Sequence, residues 1–302
     1  MRGTSLTRRE ALAGVTTAFL PAWAAAAGYK PKISVATYIW VQQFGSRKIK
    51  PIDGLDEAYS SLHRVGYRYV ELINSFLQGD LRAKTITLMK KYKLRCSLAY
   101  NGGPMHENVD AEKTIATTLD IAQAAKSLGA VGMVLNPSPL PKGACKTDEE
   151  LRIQADNVNK LGRQLKARGM RLMLHHHAPE MMENAREWRH LLHNTDPQLV
   201  WTCLDTDWVR YGKQDVLALV KESGKRTGDI HLRNTQNGVW MEDLGSGDID
   251  YAAVAGYLKG IGYDGYLAVE LAYAHETPIT RSIEEDLRRS REFTEKTFGV
   301  KA

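Results

Sequence analysis

The stretch Arg171-Leu172-Met173-Leu174-His175-His176-His177-Ala178-Pro179-Glu180 carries an apolar run into three consecutive histidines, with a proline and a glutamate behind them. Side chains alternate along a strand, so Met173, His175 and His177 share one face and Leu172 and Leu174 share the other. Two imidazoles on one face at the end of a buried strand suit metal ligation or proton transfer. His176 then turns toward the surrounding helices. Further metal-competent side chains follow. Asp205 leaves the run Trp201-Thr202-Cys203-Leu204, His231 and Arg233 share a face of Ile230-His231-Leu232-Arg233-Asn234, and Glu270 is embedded in Leu267-Ala268-Val269-Glu270-Leu271. From His175 to Asp205, His231 and Glu270 the steps are 30, 26 and 39 residues. Each step is about one strand and one helix. Neighbouring parallel strands lie roughly 4.8 Å apart, so four such side chains can converge on one ion. Any one of them alone is more often a hydrogen-bonded core group. Four in register are harder to explain that way, because a buried unpaired carboxylate is costly and a divalent cation compensates it. Two nitrogens with two carboxylates suit Mn²⁺, Zn²⁺, Co²⁺ or Fe²⁺ better than Ca²⁺.

These residues need elements that bring them level. Short apolar runs at Ile33–Tyr38, Tyr67–Leu72, Arg95–Tyr100, Val131–Leu135, Arg171–His175, Leu199–Leu204, Asp229–Leu232 and Tyr266–Leu271 read as eight strands. Amphipathic segments near 54–65, 80–92, 111–128, 148–168, 180–194, 214–223, 250–260 and 282–297 read as the helices that follow them. Gly129, Gly169, Gly262 and Gly265 punctuate the returns as helix C-terminal caps. Eight uninterrupted strand–helix units predict a single-domain α/β (β/α)8 TIM barrel over residues 28–302. A doubly wound sheet fits less well, since no glycine-rich phosphate turn follows the first strand. Barrel chemistry sits where strands end, so the polar residues there are the candidates.

The chain carries a formal charge of +6, and no later segment concentrates Lys and Arg. Neither a nucleic-acid partner nor a membrane-bound mature form is expected. Residues 1–27 read as a signal peptide. Arg8 and Arg9 precede a weakly apolar stretch closed by small alanines, as in twin-arginine leaders, which implies a periplasmic protein. The three cysteines, Cys96, Cys145 and Cys203, form no Cys-x-x-Cys, and no disulfide framework is expected.

The chain resembles the sugar phosphate isomerase/epimerase superfamily, the xylose-isomerase-like TIM barrels. The resemblance rests on Leu174-His175-His176-His177-Ala178-Pro179-Glu180-Met181, on Leu204-Asp205-x-x-Trp208 followed by Gly212, and on His231-x-Arg233. It continues through Asp243-Leu244-Gly245-x-Gly247-x-Ile249-Asp250 and ends with Val269-Glu270. It implies one divalent metal, often Mn²⁺, on His175, Asp205, His231 and Glu270. Ketose 3-epimerases of this superfamily carry Glu at the strand-five ligand position, where this chain has His175. They also carry His three residues after the strand-six Asp, where it has Trp208. Members with histidines at strand five include inosose-dehydratase-like proteins and lyases of oxidised sugars.

A metal gripping a carbonyl and its neighbouring hydroxyl acidifies the α C–H and stabilises the charge left by proton removal. His177 and Glu270 are the candidate bases, with Glu180 orienting His177 or stabilising a helix start. Arg233 is a candidate substrate or oxyanion contact, or else a salt bridge to a barrel carboxylate. Weaker candidates for contacting substrate are Glu71, Asn136, His106 and Trp208. Tyr38 and Trp40, at the end of strand one, are more readily packing residues. The expected activity is that of a metal-dependent sugar isomerase or epimerase, with a lyase or dehydratase on a 3-keto-glycoside or inosose as the alternative. A non-catalytic sugar-binding protein is less expected. An apurinic endonuclease is disfavoured, because it needs more ligands than the strand ends supply. The partner is a small carbohydrate, and an oligomer is open.

Overall fold

The computed structural model describes residues 28–302, so the signal-peptide reading of residues 1–27 lies outside them. Eight parallel strands close into a barrel: β1 (Lys32–Ala36), β2 (Tyr69–Ile73), β3 (Arg95–Gly103), β4 (Gly132–Pro137), β5 (Arg171–Leu174), β6 (Val200–Asp205), β7 (Thr227–Leu232) and β10 (Tyr266–Val269). β8 (Thr235–Gln236) and β9 (Val239–Trp240) form a small antiparallel hairpin after β7. Outside the barrel run α2 (Pro51–Val65), α3 (Gly79–Lys91), α4 (Asn108–Ser127), α5 (Asp148–Ala167), α6 (Met182–Asn194), α8 (Val216–Ser223), α9 (Tyr251–Ile261) and α10 (Ile283–Phe298). Their amphipathic faces explain the arrangement. In α2, Leu55, Ala58, Tyr59, Leu62 and Val65 are buried at three- and four-residue spacing. α5 opens on a capping box between Thr147 and Glu150.

Two apolar layers result. The large one lies between strands and helices and takes Leu172 and Leu174 from β5, Leu204 from β6 and Leu232 from β7. The small one plugs the barrel interior with Leu98, Val134, Met173, Cys203 and Tyr266. The alternation expected along β5 is therefore observed. Directly above the plug the inward positions become polar, and that change of character is where the site begins.

All eight expected strands are present, with shifts at their ends. Strand one stops at Ala36, and Tyr38 and Trp40 belong to a helix, α1 (Tyr38–Ser46). The cause is Thr37, whose hydroxyl donates to Glu71 O and accepts from Ile73 N, turning the chain across the end of β2. Trp40 is fully buried, whereas Tyr38 reaches the barrel mouth. A second short helix, α7 (Thr206–Tyr211), begins directly after β6. The fifth helix starts later than expected. Pro179–Met181 form a 3₁₀ turn, and Glu183, Asn184 and Ala185 have left-handed backbone before α6 becomes regular.

Gly129, Gly169 and Gly262 have positive φ and end their helices as expected. Gly265 is not a cap. A Cβ there would lie 2.4 Å from the main-chain oxygen of Gly228, so glycine is required for close approach of the β10 entry to β7. Gly265→Ala is expected to lower stability by about 1–3 kcal/mol, the usual cost of overpacking. Urea unfolding of the variant would show it as a lower midpoint with an unchanged slope.

Candidate active site

The ends of β5, β6, β7 and β10 deliver His175, Asp205, His231 and Glu270. One ligand atom from each lies within 4.8 Å of the others. The pairing register produces this convergence: Asp205 is level with His231 across β6 and β7, and His231 is level with Ala268 across β7 and β10. The first three residues are buried, and Glu270 faces the cavity above them.

Each donor is aimed by a neighbour. The side-chain amide of Asn136 donates to Pro137 O, which fixes its orientation and leaves Oδ1 facing His175 Nδ1 at 3.1 Å. Nδ1 therefore carries the proton and Nε2 presents a lone pair. His231 is held from below. Its Nε2 lies 3.1 Å from Glu71 and 3.2 Å from Asp229 Oδ2, leaving Nδ1 to face Glu270 Oε2 at 2.6 Å. Asp205 accepts from the amides of Asp207 and Trp208 through Oδ1, capping α7, and keeps Oδ2 inward. His175 Nε2, His231 Nδ1 and Glu270 Oε2 are buried without a properly directed hydrogen bond, although the last two are in contact. Buried donors aimed at one another but satisfying none fit a divalent cation. His175, Asp205, His231 and Glu270 would hold it.

Burial, reinforced by His231, His177 and His176, keeps His175 neutral, well below the usual imidazole range. Burial opposes charge on His231 too, but Cys203, Glu71 and Glu270 outweigh it and raise that imidazole. Burial pushes Glu71 and Asp205 up to about 7. For Glu270, Arg233 and His231 overcome burial and hold the carboxyl below the usual range. His177 is lowered to about 4 by burial, so it is a neutral base at ordinary pH.

Arg233 spans the site. It donates to Asp205 Oδ2 at 3.0 Å and lies 3.1 Å from Glu270 Oε2. Its guanidinium also lies 4.7 Å from the Trp240 ring centre and 5.4 Å from that of Trp208. The salt-bridge reading of Arg233 is thus the one observed, although the residue also lines the cavity. His177 packs edge-on against His175, 5.0 Å between ring centres, and against Trp208, at 5.3 Å. His176 points away from the cavity, and its Nε2 accepts from Asp205 N.

Three expectations need correction, those for Glu180, Asn136 and His106. Glu180 does not face the cavity; its Oε2 accepts from the main-chain N of His177, so it positions that residue through the backbone, not the imidazole. Asn136 holds His175 and does not line the cavity. Glu71 does line the cavity, where it also meets His231. His106 is kept from the mouth because its loop is tied outward: Thr114 donates to Pro104 O, and Asn157 to Met105 O. Trp208 does line the cavity. Tyr100 and Trp240 on the cavity wall, and Asp229 beneath His231, are not among the residues expected from sequence. Tyr100 packs edge-on against His175 at 5.5 Å. Trp240 stands on the β8–β9 hairpin with its indole N–H donating to Asp207 Oδ2 at 2.5 Å. Asp229 supports His231. Strand parity points Asp229 and His231 the same way, a signal available from sequence. Trp240 gives none.

If Asn136 sets the His175 tautomer, Asn136→Ala is expected to weaken metal binding about 10–100-fold while leaving the barrel folded. Competition with a chelating dye measures the first, and far-ultraviolet circular dichroism the second.

A closed β/α barrel carries, at the C-terminal end of its strands, a two-histidine, two-carboxylate cluster whose donor set fits one divalent cation. The chain belongs to the xylose isomerase-like TIM barrel family, whose sequence model matches residues 60–296. It is 29% identical over 169 residues to an inosose dehydratase of Clostridium perfringens, an alignment covering 50% of this chain and 56% of that protein. The chain thus spans little more than half the length of that relative. A sugar phosphate isomerase/epimerase from Parabacteroides distasonis has the same fold, with a TM-score of 0.68, 20% identity and coverage of 90% and 96% of the two chains. So does an IolI protein with a bound zinc atom, with a TM-score of 0.67, 16% identity and coverage of 89% and 98%.

Proposed function

We propose that the protein is a divalent-metal-dependent enzyme that removes the proton next to the carbonyl of a keto-sugar or keto-cyclitol, after which the ring loses its β-substituent. The observation that carries this reading is the asymmetry of the acid/base groups. At the strand-five position, where a two-carboxylate epimerase has Glu, His175 is locked by Asn136 with its proton on Nδ1. A cation bound by the four ligands would polarise the carbonyl and lower the α C–H pKa.

The chain's own groups do the rest. His177, neutral and at the cavity wall, accepts the α-proton. Glu270 reaches the same space and is the second candidate base. Arg233 holds Asp205 and Glu270 in place, keeps Glu270 ionised and opposes the burial that raises Asp205. Trp208 and Tyr100 line the cavity and narrow the space above the ligands. The inosose dehydratase relative agrees with elimination.

Isomerisation or epimerisation is the second reading, favoured because His177 and Glu270 both line the cavity and could exchange protons with two positions of the ring. Mn²⁺ is the proposed metal, and Zn²⁺, Co²⁺ and Fe²⁺ are the other candidates. The decisive experiment incubates metal-loaded protein with inososes, 3-keto-glycosides and ketoses in D₂O. An unsaturated or cleaved product supports elimination. Deuterium on the α-carbon of a recovered isomer supports epimerisation. No product and no exchange with any of them removes both.

Export through the twin-arginine route belongs to the same proposal and rests on Arg8 and Arg9 ahead of the alanine-rich stretch. A reporter fused to residues 1–27 is expected to stay inside the cell once both arginines are replaced by Lys. Export that persists would refute the route.

A further inference from the structure

The cavity above the metal ligands measures about 270 Å³ and has an apolar, aromatic wall: Tyr38, Ile73, Tyr100, Trp208 and Trp240. Its charges are already committed. Among the described residues, Arg233 is the one Lys or Arg lining it, and two carboxylates hold it. In barrel enzymes the loops after the seventh and eighth strands commonly bind phosphate through free main-chain N–H groups. Here the Asp248 carboxylate takes the amides of Asn237 and Gly238 on the β8–β9 turn, and Thr235 Oγ1 as well. Arg281, in the loop after β10, is paired with Glu242, Asp243 and Asp286, and Arg210, on α7 after β6, is paired with Asp207. Among the described residues lining the cavity, an anionic group would meet Glu71 and Glu270 and no unpaired Lys or Arg, so the protein's own side chains give it no partner beside a bound cation.

The aromatic wall continues beyond the cavity. From His177 the rings run to Trp208, and from Trp208 to Trp240 at 5.6 Å and to Tyr211 at 5.7 Å, all edge-on. Tyr211 is 62% exposed, and Tyr38 and Val239 are also exposed large apolar residues of these loops. Arg233 and the Trp240–Asp207 hydrogen bond fix the two indoles. A rigid, uncharged row of rings leading out of a sugar-sized cavity is a surface on which a planar group stacks.

We infer that the substrate is an uncharged keto-sugar bearing a planar apolar substituent, an aryl glycoside, with its sugar ring over the metal ligands and its aryl group against Trp208 and Tyr211. This rests on the keto-sugar reading above and names the class of sugar. The same pairing gives a phosphorylated sugar no Lys or Arg partner in the cavity.

The test uses the metal-loaded protein. Binding of phenyl and methyl β-D-glucopyranoside, neither of which can react, is followed by tryptophan fluorescence. Turnover of methyl 3-keto-β-D-glucopyranoside is followed separately. Phenyl is expected to bind about tenfold tighter than methyl, the effect of one stacked ring. Tyr211→Ala should abolish the preference and Tyr211→Trp should keep it. Glucose 6-phosphate should bind no better than methyl glucoside. Equal binding of phenyl and methyl, with the methyl 3-keto-glucoside turned over, overturns the aryl assignment and leaves the keto-sugar reading standing. No turnover of the 3-keto compound, and none of inososes or ketoses, overturns both. Tighter binding of the 6-phosphate overturns the proposal. So does a dimer that dissociates in Tyr211→Ala while phenyl and methyl bind alike, which would assign the rim to a second copy of the chain.

Discussion

Glu270→Gln is expected to reduce turnover about a thousandfold or more while leaving the barrel folded. Two proposed roles, metal ligand and second base, meet in this one carboxylate. It is one of the four converging ligands, and it is ionised, because Arg233 and His231 outweigh its burial. The amide keeps the shape and one oxygen but loses the charge. Loss of a positioned general base alone costs about 10²–10⁴ in rate. The expected signature has two parts. Metal content measured on the purified variant should fall, and α-proton exchange into D₂O should fall further than metal content explains. A variant with full metal content and wild-type exchange would remove Glu270 from both roles. His177→Phe separates the parts from the other side. It should retain metal, since His177 is not in the converging set, and still lose turnover.

Much of this arrangement was legible in the sequence because strand periodicity is strict. Alternation along β5 separates Met173 and His175 from Leu172 and Leu174, and the spacing of one strand and one helix puts Asp205, His231 and Glu270 at matching height. The observed ligand cluster is the set read from those two rules. What could not be read depends on side chains meeting across the barrel. Asn136 looked like a substrate contact because it ends a strand at the mouth. Its true partner, His175, is set by the β4–β5 register, which places Leu135 level with Leu174. Glu71 meets His231 from β2, 160 residues away in sequence and on the far side of the barrel. The helices α1 and α7 give no sequence signal because they are short, and they start where Thr37 ties the chain to β2 and where the Asp205 side chain caps α7. Thr37 and Asp205 make hydrogen bonds that depend on where their neighbours end. The β8–β9 hairpin carries two-residue strands with no periodicity to detect, and Trp240 came with it.

Arg233→Met is expected to destabilise the metal-free protein far more than the metal-loaded one. The guanidinium is the cation that balances Asp205 and Glu270, and it is buried with them. Removing one member of a buried charge cluster typically costs about 3–5 kcal/mol, because the remaining charges lose compensation. In a domain of this size that corresponds to a fall in Tm on the order of 10 °C. A divalent cation on the same carboxylates restores compensation, and ligand binding to the folded state adds stability in proportion to its occupancy. The difference in Tm between chelator-treated and metal-loaded protein should therefore widen in Arg233→Met relative to wild type. Trp208 and Trp240 would also lose the charge that stacks against them, so their fluorescence should shift in the same variant. Equal Tm losses with and without metal would mean that Arg233 and the metal ligands are not electrostatically linked. The convergence of Asp205 and Glu270 would then owe nothing to a shared cation.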